Sequence, residues 1–225
     1  MRIGLLNESN ALPHESDTVL KTVTTTTLIL LLFLATIAFA QKSKPNGPDE
    51  SVDENWAPKK ELMKHLQEPV KLDSVSLCPP NDFVRTKHPQ AETYKKAGIG
   101  VGVWNKEPGN GIPSLLVIML PYSEKEPWNG EKFVGGFRNS VVRKWKNVKT
   151  SKIIKGRLHD ATAVRTQYRG MTADGTEVAG FIVAFNDSQG TVAITCVTVR
   201  NENSNELLTI MLNSALTTQR VRKGH

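Results

Sequence analysis

Hydrophobic positions fall into three regimes along the chain. Leu28 to Ala40 (LILLLFLATIAFA) is an unbroken apolar run, and residues 41–55 (QKSKPNGPDESVDEN) hold only Val52 amid Pro, Gly and charge. From Trp56 onward apolar residues recur with the periods of helices and strands. Pro58 opens a short helix with Leu62, Met63 and Leu66 on one face, and Pro69 ends it. Val70 to Leu77 alternates apolar with polar, as a strand entering the turn Cys78-Pro79-Pro80 does. Gly98 to Trp104 has period two, with Ile99, Val101 and Val103 on one face and three glycines on the other, bare backbone against which a helix can pack closely.

Ser114 to Leu120 (SLLVIML) is apolar on both faces, which predicts a central strand covered on two sides. Asn129 then N-caps a helix, with Trp128 and Phe133 as a hydrophobic staple and Phe133, Phe137, Val141 and Trp145 as its buried stripe. From Val148 the pattern turns to strands. Asp174-Gly175 predicts a two-residue hairpin turn that pairs Tyr168 with Phe181, Thr166 with Val183 and Val164 with Phe185, and turns Arg165, Gln167 and Arg169 to the opposite face. Thr191 to Arg200 makes a further strand, and Asn205 to Thr217 a closing helix with Leu207, Leu208, Met211, Leu212 and Leu216 on its apolar face.

This order of elements predicts an α+β domain, residues 56–217, with helices packed on a mostly antiparallel sheet. Val75-Ser76-Leu77-Cys78-Pro79-Pro80-Asn81-Asp82-Phe83, the midchain helix, the long hairpin and the terminal helix together resemble the Mog1/PsbP-like sandwich over Leu72 to Leu216. The resemblance implies a partner-binding or accessory module that is not an enzyme, and it carries no functional residue across.

Ahead of the domain, the apolar run ends in Ala38-Phe39-Ala40, the small-x-small pattern of a signal peptide cut before Gln41. Residues 1–40 thus read as a leader cleaved near Ala40, giving a secreted or periplasmic protein. If the leader is retained, it is a single-pass anchor touching the membrane through residues 24–40. Residues 41–55 read as a disordered linker and 218–225 as a basic tail.

Charge then changes the picture. The formal net charge is +7, yet only Arg2 and Lys21 are basic within the first 40 residues, so the excess sits in the folded part. It is concentrated in residues 138–155 (RNSVVRKWKNVKTSKIIK), where seven basic side chains meet no acidic one. As a polyanion site this segment offers Arg143, Lys144, Lys146, Lys149 and Lys152, with Trp145 to stack and Arg220-Val221-Arg222-Lys223 in support. As plain structure it is the solvated side and end of a helix.

Candidate chemistry is sparse. Cys78 and Cys196 are the two cysteines; in an exported chain they could form one disulfide, while Cys196 in mid-strand equally reads as a buried apolar residue. No CxxC or histidine pair has metal spacing, and no cofactor fingerprint is present. His159 beside Asp160 is the one apparent dyad, but neighbours on an extended strand point to opposite faces. Asn186-Asp187-Ser188 matches an N-glycosylation acceptor. The expected function is therefore a non-catalytic exported or tethered binding domain whose partner is a protein or an anionic envelope component, and not a nucleic acid. A polyanion-binding protein using residues 138–155 is the alternative, and a hydrolase using Cys78 or His159 a third.

Overall fold

The computed structural model describes residues 55–107, 111–122 and 127–221. The expected leader, most of the linker and Arg222 and Lys223 of the tail lie outside these residues. In chain order the strands are β1 (Asn55–Trp56), β2 (Val70–Leu72), β3 (Val75–Leu77), β4 (Val84–Thr86), β5 (Gly100–Asn105), β6 (Ser114–Pro121) and β7 (Lys146–Thr150). They continue with β8 (Ile154–Leu158), β9 (Ala161–Met171), β10 (Glu177–Asp187), β11 (Gly190–Val199) and β12 (Gln219–Arg220). The α-helices are α1 (Ala91–Lys96), α2 (Gly130–Val142) and α3 (Ser204–Leu216), and Lys60–His65 forms a 3₁₀ turn.

One nine-stranded sheet runs β1-β8-β9-β10-β11-β6-β5-β4, with β7 also on β9. Every pairing in it is antiparallel except that of β1 with β8. A smaller sheet, β12-β3-β2, packs beside it. The fold class is thus α+β and mostly antiparallel, as the element order predicts.

The sheet has a core on each face, which is why the central stretches of β6, β10 and β11 are buried on both sides. Phe181, Val183 and Phe185 of β10 share one core with Leu115 and Val117 of β6, the small sheet's Leu72, Val75 and Leu77, and Met211, Ala215 and Leu216 of α3. Ile182 and Ala184 face the other way, against Val134, Phe137 and Val141 of α2. Asn129 caps α2 as predicted, its Oδ1 accepting from the Lys132 N–H at 2.9 Å.

Four expectations are corrected. The segment 70–77 is a small hairpin and not one strand, because Asp73 adopts φ 47° and folds the chain back. The glycine face of β5 is covered not by a helix but by Leu72 and the ring of Trp104, which would meet a Cβ at Gly102. The β9–β10 hairpin pairs Tyr168 with Gly180 and Gln167 with Phe181, one residue away from the predicted register. Its loop has three residues and not two: Gly175 donates to the Thr172 carbonyl and sits at φ 89°. A one-residue slip exchanges faces, so Tyr168 belongs to the α2 core and Phe181 to the α3 core. Finally, the expected tail begins inside the fold, since Gln219–Arg220 pair with Val75–Ser76.

Candidate functional site

The basic segment 138–155 is not a helix side. α2 ends at Val142, and the chain then forms β7, an edge strand whose five residues are all exposed. Trp145 is not free to stack on a ligand: its ring packs on Tyr168 at 5.5 Å between centroids, over Gly170. Two of the seven cations are used internally. Arg138 donates to the Ser151 carbonyl and Thr166 hydroxyl at 3.3 Å, tying α2 to the sheet, and Lys155 pairs with Glu131 at 3.4 Å. The other five, Arg143, Lys144, Lys146, Lys149 and Lys152, are exposed, and no ion pair within the described residues engages them.

A β-bulge gathers two of them. Lys146 lies opposite Met171 and Lys149 opposite Arg169, three steps along β7 against two along β9. In a regular strand positions 146 and 149 would face opposite sides; the extra residue, with Asn147 at φ 53°, puts both lysines on the face of Arg169. Lys149 and Arg169 are then like charges directly across a strand pair, a destabilising arrangement. Arg200, just past β11, lines the same cleft of about 250 Å³ together with Met171 and Glu177. Glu177 is held by Arg200 at 3.1 Å, so Lys149 and Arg169 are left as excess positive charge. The site is suited to binding carboxylates or other anions along an exposed edge.

Sequence reasoning missed Arg169 and Arg200 as members of this site. Arg169 was legible as facing away from Tyr168, but its proximity to Lys149 depends on a strand pairing across twenty residues. Arg220 does not join the site: it grips Asp187 with two nitrogens at 2.9 and 3.0 Å and donates to the Gly190 carbonyl and the Ser74 hydroxyl. That clamp also places the Asn186-Asp187-Ser188 pattern at the end of β10 and not in a free loop, with the Asn186 side chain accepting from Thr191.

The remaining candidates stay apart from the edge. Cys78 and Cys196 are both buried free thiols, so no disulfide joins them. Burial raises the pKa of each, opposed at Cys78 by a hydrogen bond with Thr217, which disfavours the nucleophilic thiolate. His159 and Asp160 form the turn between β8 and β9; His159 Nε2 lies 3.1 Å from the Thr218 carbonyl, and no hydrogen bond joins the two side chains. Among the described residues no group of three His, Cys, Asp or Glu side chains could hold a metal, and no helix is long and apolar enough to cross a membrane.

A sheet carrying one long helix on each face, with a three-stranded annex, defines an α+β sandwich of the Mog1/PsbP-like kind. One solved structure bears this out at the level of fold, and two more distant ones are similar. The solution structure of cyanobacterial PsbP (CyanoP) from Synechocystis sp. PCC 6803 matches with a TM-score of 0.52 and 13% identity, covering 79% of this chain and all of that one. Saccharomyces cerevisiae Ran-binding protein Mog1p matches at TM-score 0.46 and 8% identity over 68% of this chain and 94% of its own. LpqN of Mycobacterium tuberculosis, involved in cell envelope biogenesis, matches at 0.44 and 13% over 75% and 99%. No protein-family model and no curated protein sequence matches the chain.

Proposed function

We propose that this chain is an exported or membrane-tethered, non-catalytic accessory domain that binds an acidic partner through the basic edge of its sheet. The observation that carries the reading is the bulge in β7, which sets Lys149 opposite Arg169 and turns Lys146 to the same face, while Glu177, the carboxylate of the cleft, is engaged by Arg200. The stability of the fold alone does not favour such a cluster, whereas an anionic partner would. The apolar run Leu28–Ala40 supports export, with cleavage near Ala40 or retention as an anchor deciding between a free and a tethered domain. The partner is a protein or an anionic envelope component. A general polyanion-binding role is the second reading, favoured by the continuation of positive charge through Arg143, Lys144 and Lys152.

Binding of residues 41–225 to poly-glutamate and to phosphatidylglycerol vesicles tests both readings. The affinity is expected to fall at least tenfold between 50 and 200 mM salt, and tenfold again on combined K146E and K149E substitution. Vesicle binding without poly-glutamate binding selects the envelope lipid as partner, and the reverse selects an acidic protein. Affinities indifferent to both salt and charge reversal would overturn the proposal.

A further inference from the structure

Two clefts open on the same face of β9. Arg165, Gln167 and Arg169 alternate along it, and across the pairing with β10 they lie opposite Val183, Phe181 and Ala179, of which Val183 and Phe181 belong to the α3 core. All three side chains therefore project to the α3 side of the sheet. Arg169 borders the basic cleft already described, and Arg165 borders a second cleft, of about 370 Å³, between Trp56, the 3₁₀ turn and α3. Four residues of extended chain, about 13 Å, separate the two arginines. Gln167, between them, is exposed.

The second cleft is apolar where the first is charged. Trp56, Leu62, Leu212 and Leu216 wall it, with Leu62 and Leu212 half-buried, and the Arg165 guanidinium lies over the Trp56 ring at 4.7 Å from its centroid. The polar groups that α3 brings to it are spent on the protein itself. The Thr209 hydroxyl donates to the Asn205 carbonyl at 2.7 Å, while Asn213 accepts from the Lys59 N–H at 2.6 Å and donates to the Lys59 carbonyl at 3.3 Å. The Asn213 bonds pin the turn to the helix, so the cleft is formed before a ligand arrives, and it offers aliphatic and aromatic surface. Ligand pockets span about 300–1,000 Å³, so this one has room for a large aliphatic side chain.

We propose that the two clefts together read one extended acidic peptide of the partner, which sets a bulky aliphatic residue in the apolar cleft and a carboxylate four positions away on Lys149 and Arg169. This rests on the proposed function and specifies it, since the partner is then a protein segment with a fixed spacing. The occupant follows from continuity and charge. In an extended peptide, side chains four apart leave the same side about 13 Å from one another, the separation of Arg165 and Arg169. Lys59 and Arg165 keep the apolar cleft positive as well, and the one acid lining either cleft, Glu177, is already held by Arg200.

Fluorescence anisotropy with the full chain and labelled serine octapeptides tests it. Each peptide carries one leucine and, four positions on, the first of two glutamates, and both chain directions are measured. In one direction, exchanging the leucine for serine should weaken binding about tenfold. Moving the leucine one place nearer the glutamates turns it to the other side of an extended peptide and should cost as much. Thr209 is exposed on the rim of the apolar cleft, so T209W should fill the cleft and remove the leucine's advantage with the Tm unchanged, while T209S retains it. No leucine effect in either direction, or one indifferent to T209W, would overturn the inference. If binding then still depends on glutamate and salt, the proposed function stands; if that dependence is absent too, both fall. Decanoate is the remaining arm: decanoate binding blocked by T209W, without a leucine effect in the peptides, would assign the cleft to a free acyl chain and overturn the peptide.

Discussion

If Lys149 serves a partner and not the fold, removing its charge should make the protein more stable while weakening anion binding. Lys149 is directly opposite Arg169, and both side chains are exposed. Taking the charged ends as ~6 Å apart in water, their repulsion is about 0.7 kcal/mol unscreened. Ions reduce this to roughly 0.3 kcal/mol at 0.15 M salt, where the Debye length is about 8 Å, and to roughly 0.6 kcal/mol at 0.01 M. Lys149→Glu replaces the repulsion with an attraction of similar size, so the gain is about 0.6 kcal/mol at physiological salt and about 1.1 kcal/mol at low salt. For a domain of this size the Tm should rise by about 1–2 °C and about 2–4 °C respectively. Lys149→Gln should give half of each. Thermal unfolding at the two salt concentrations measures this, alongside poly-glutamate affinity. A Tm that falls or stays constant at low salt would refute the assignment of Lys149 and Arg169 as an unrelieved pair.

Three further outcomes follow from the packing. Gly156 lies beneath the Trp56 ring, and a Cβ there would come within 2.7 Å of Cζ2 and Nε1, so Gly156→Ala should cost about 1–3 kcal/mol and shift Trp56 fluorescence; an unchanged Tm would contradict it. Cys78 and Cys196 should resist a thiol reagent in the native protein and both react after unfolding, whereas rapid labelling of either in the native state would count against their burial. His88 is buried, its Nδ1 accepts from the Gln90 N–H at 3.0 Å, and burial lowers its pKa below the ordinary 6.5. The unfolded chain therefore takes up the proton first: the contribution is complete above pH 6.5 and is lost as pH falls through the lower folded value. His88→Asn, which keeps an acceptor without the titration, should flatten the dependence of Tm on pH below 6.5, and an unaltered slope would exclude His88 as its source.

Most elements were legible because burial writes a period into the sequence. β6 read as a central strand since both its faces are apolar, and α2 read from its cap and stripe. Pairing was less legible, because it depends on backbone geometry at single residues. Gly175 at positive φ lengthens one loop by a residue and shifts every partner along β9 and β10; Asp73 folds one apparent strand into two. The basic segment was visible as composition, but its shape was not. Nothing in RKWKNVK announces that an extra residue near Asn147 will turn Lys146 and Lys149 to the same side.

Lysines on an edge strand also have a purely structural use, since charge there discourages pairing with another molecule's sheet. The two roles separate by sign. Edge protection works with carboxylates as well as with ammonium groups, and it is needed only on the open strand itself. Arg169 lies on β9, which is paired on both sides, and Arg200 lies beyond β11, so neither guards an edge. Their convergence with Lys149 on one cleft is therefore not accounted for by edge protection and points to recognition of an anion. Replacing Lys146 and Lys149 by glutamate should leave the oligomeric state unchanged while lowering the affinity for poly-glutamate about tenfold. Arg169→Gln, which leaves the edge lysines untouched, should weaken that affinity severalfold; if it does not, the lysines are guarding the edge and nothing more.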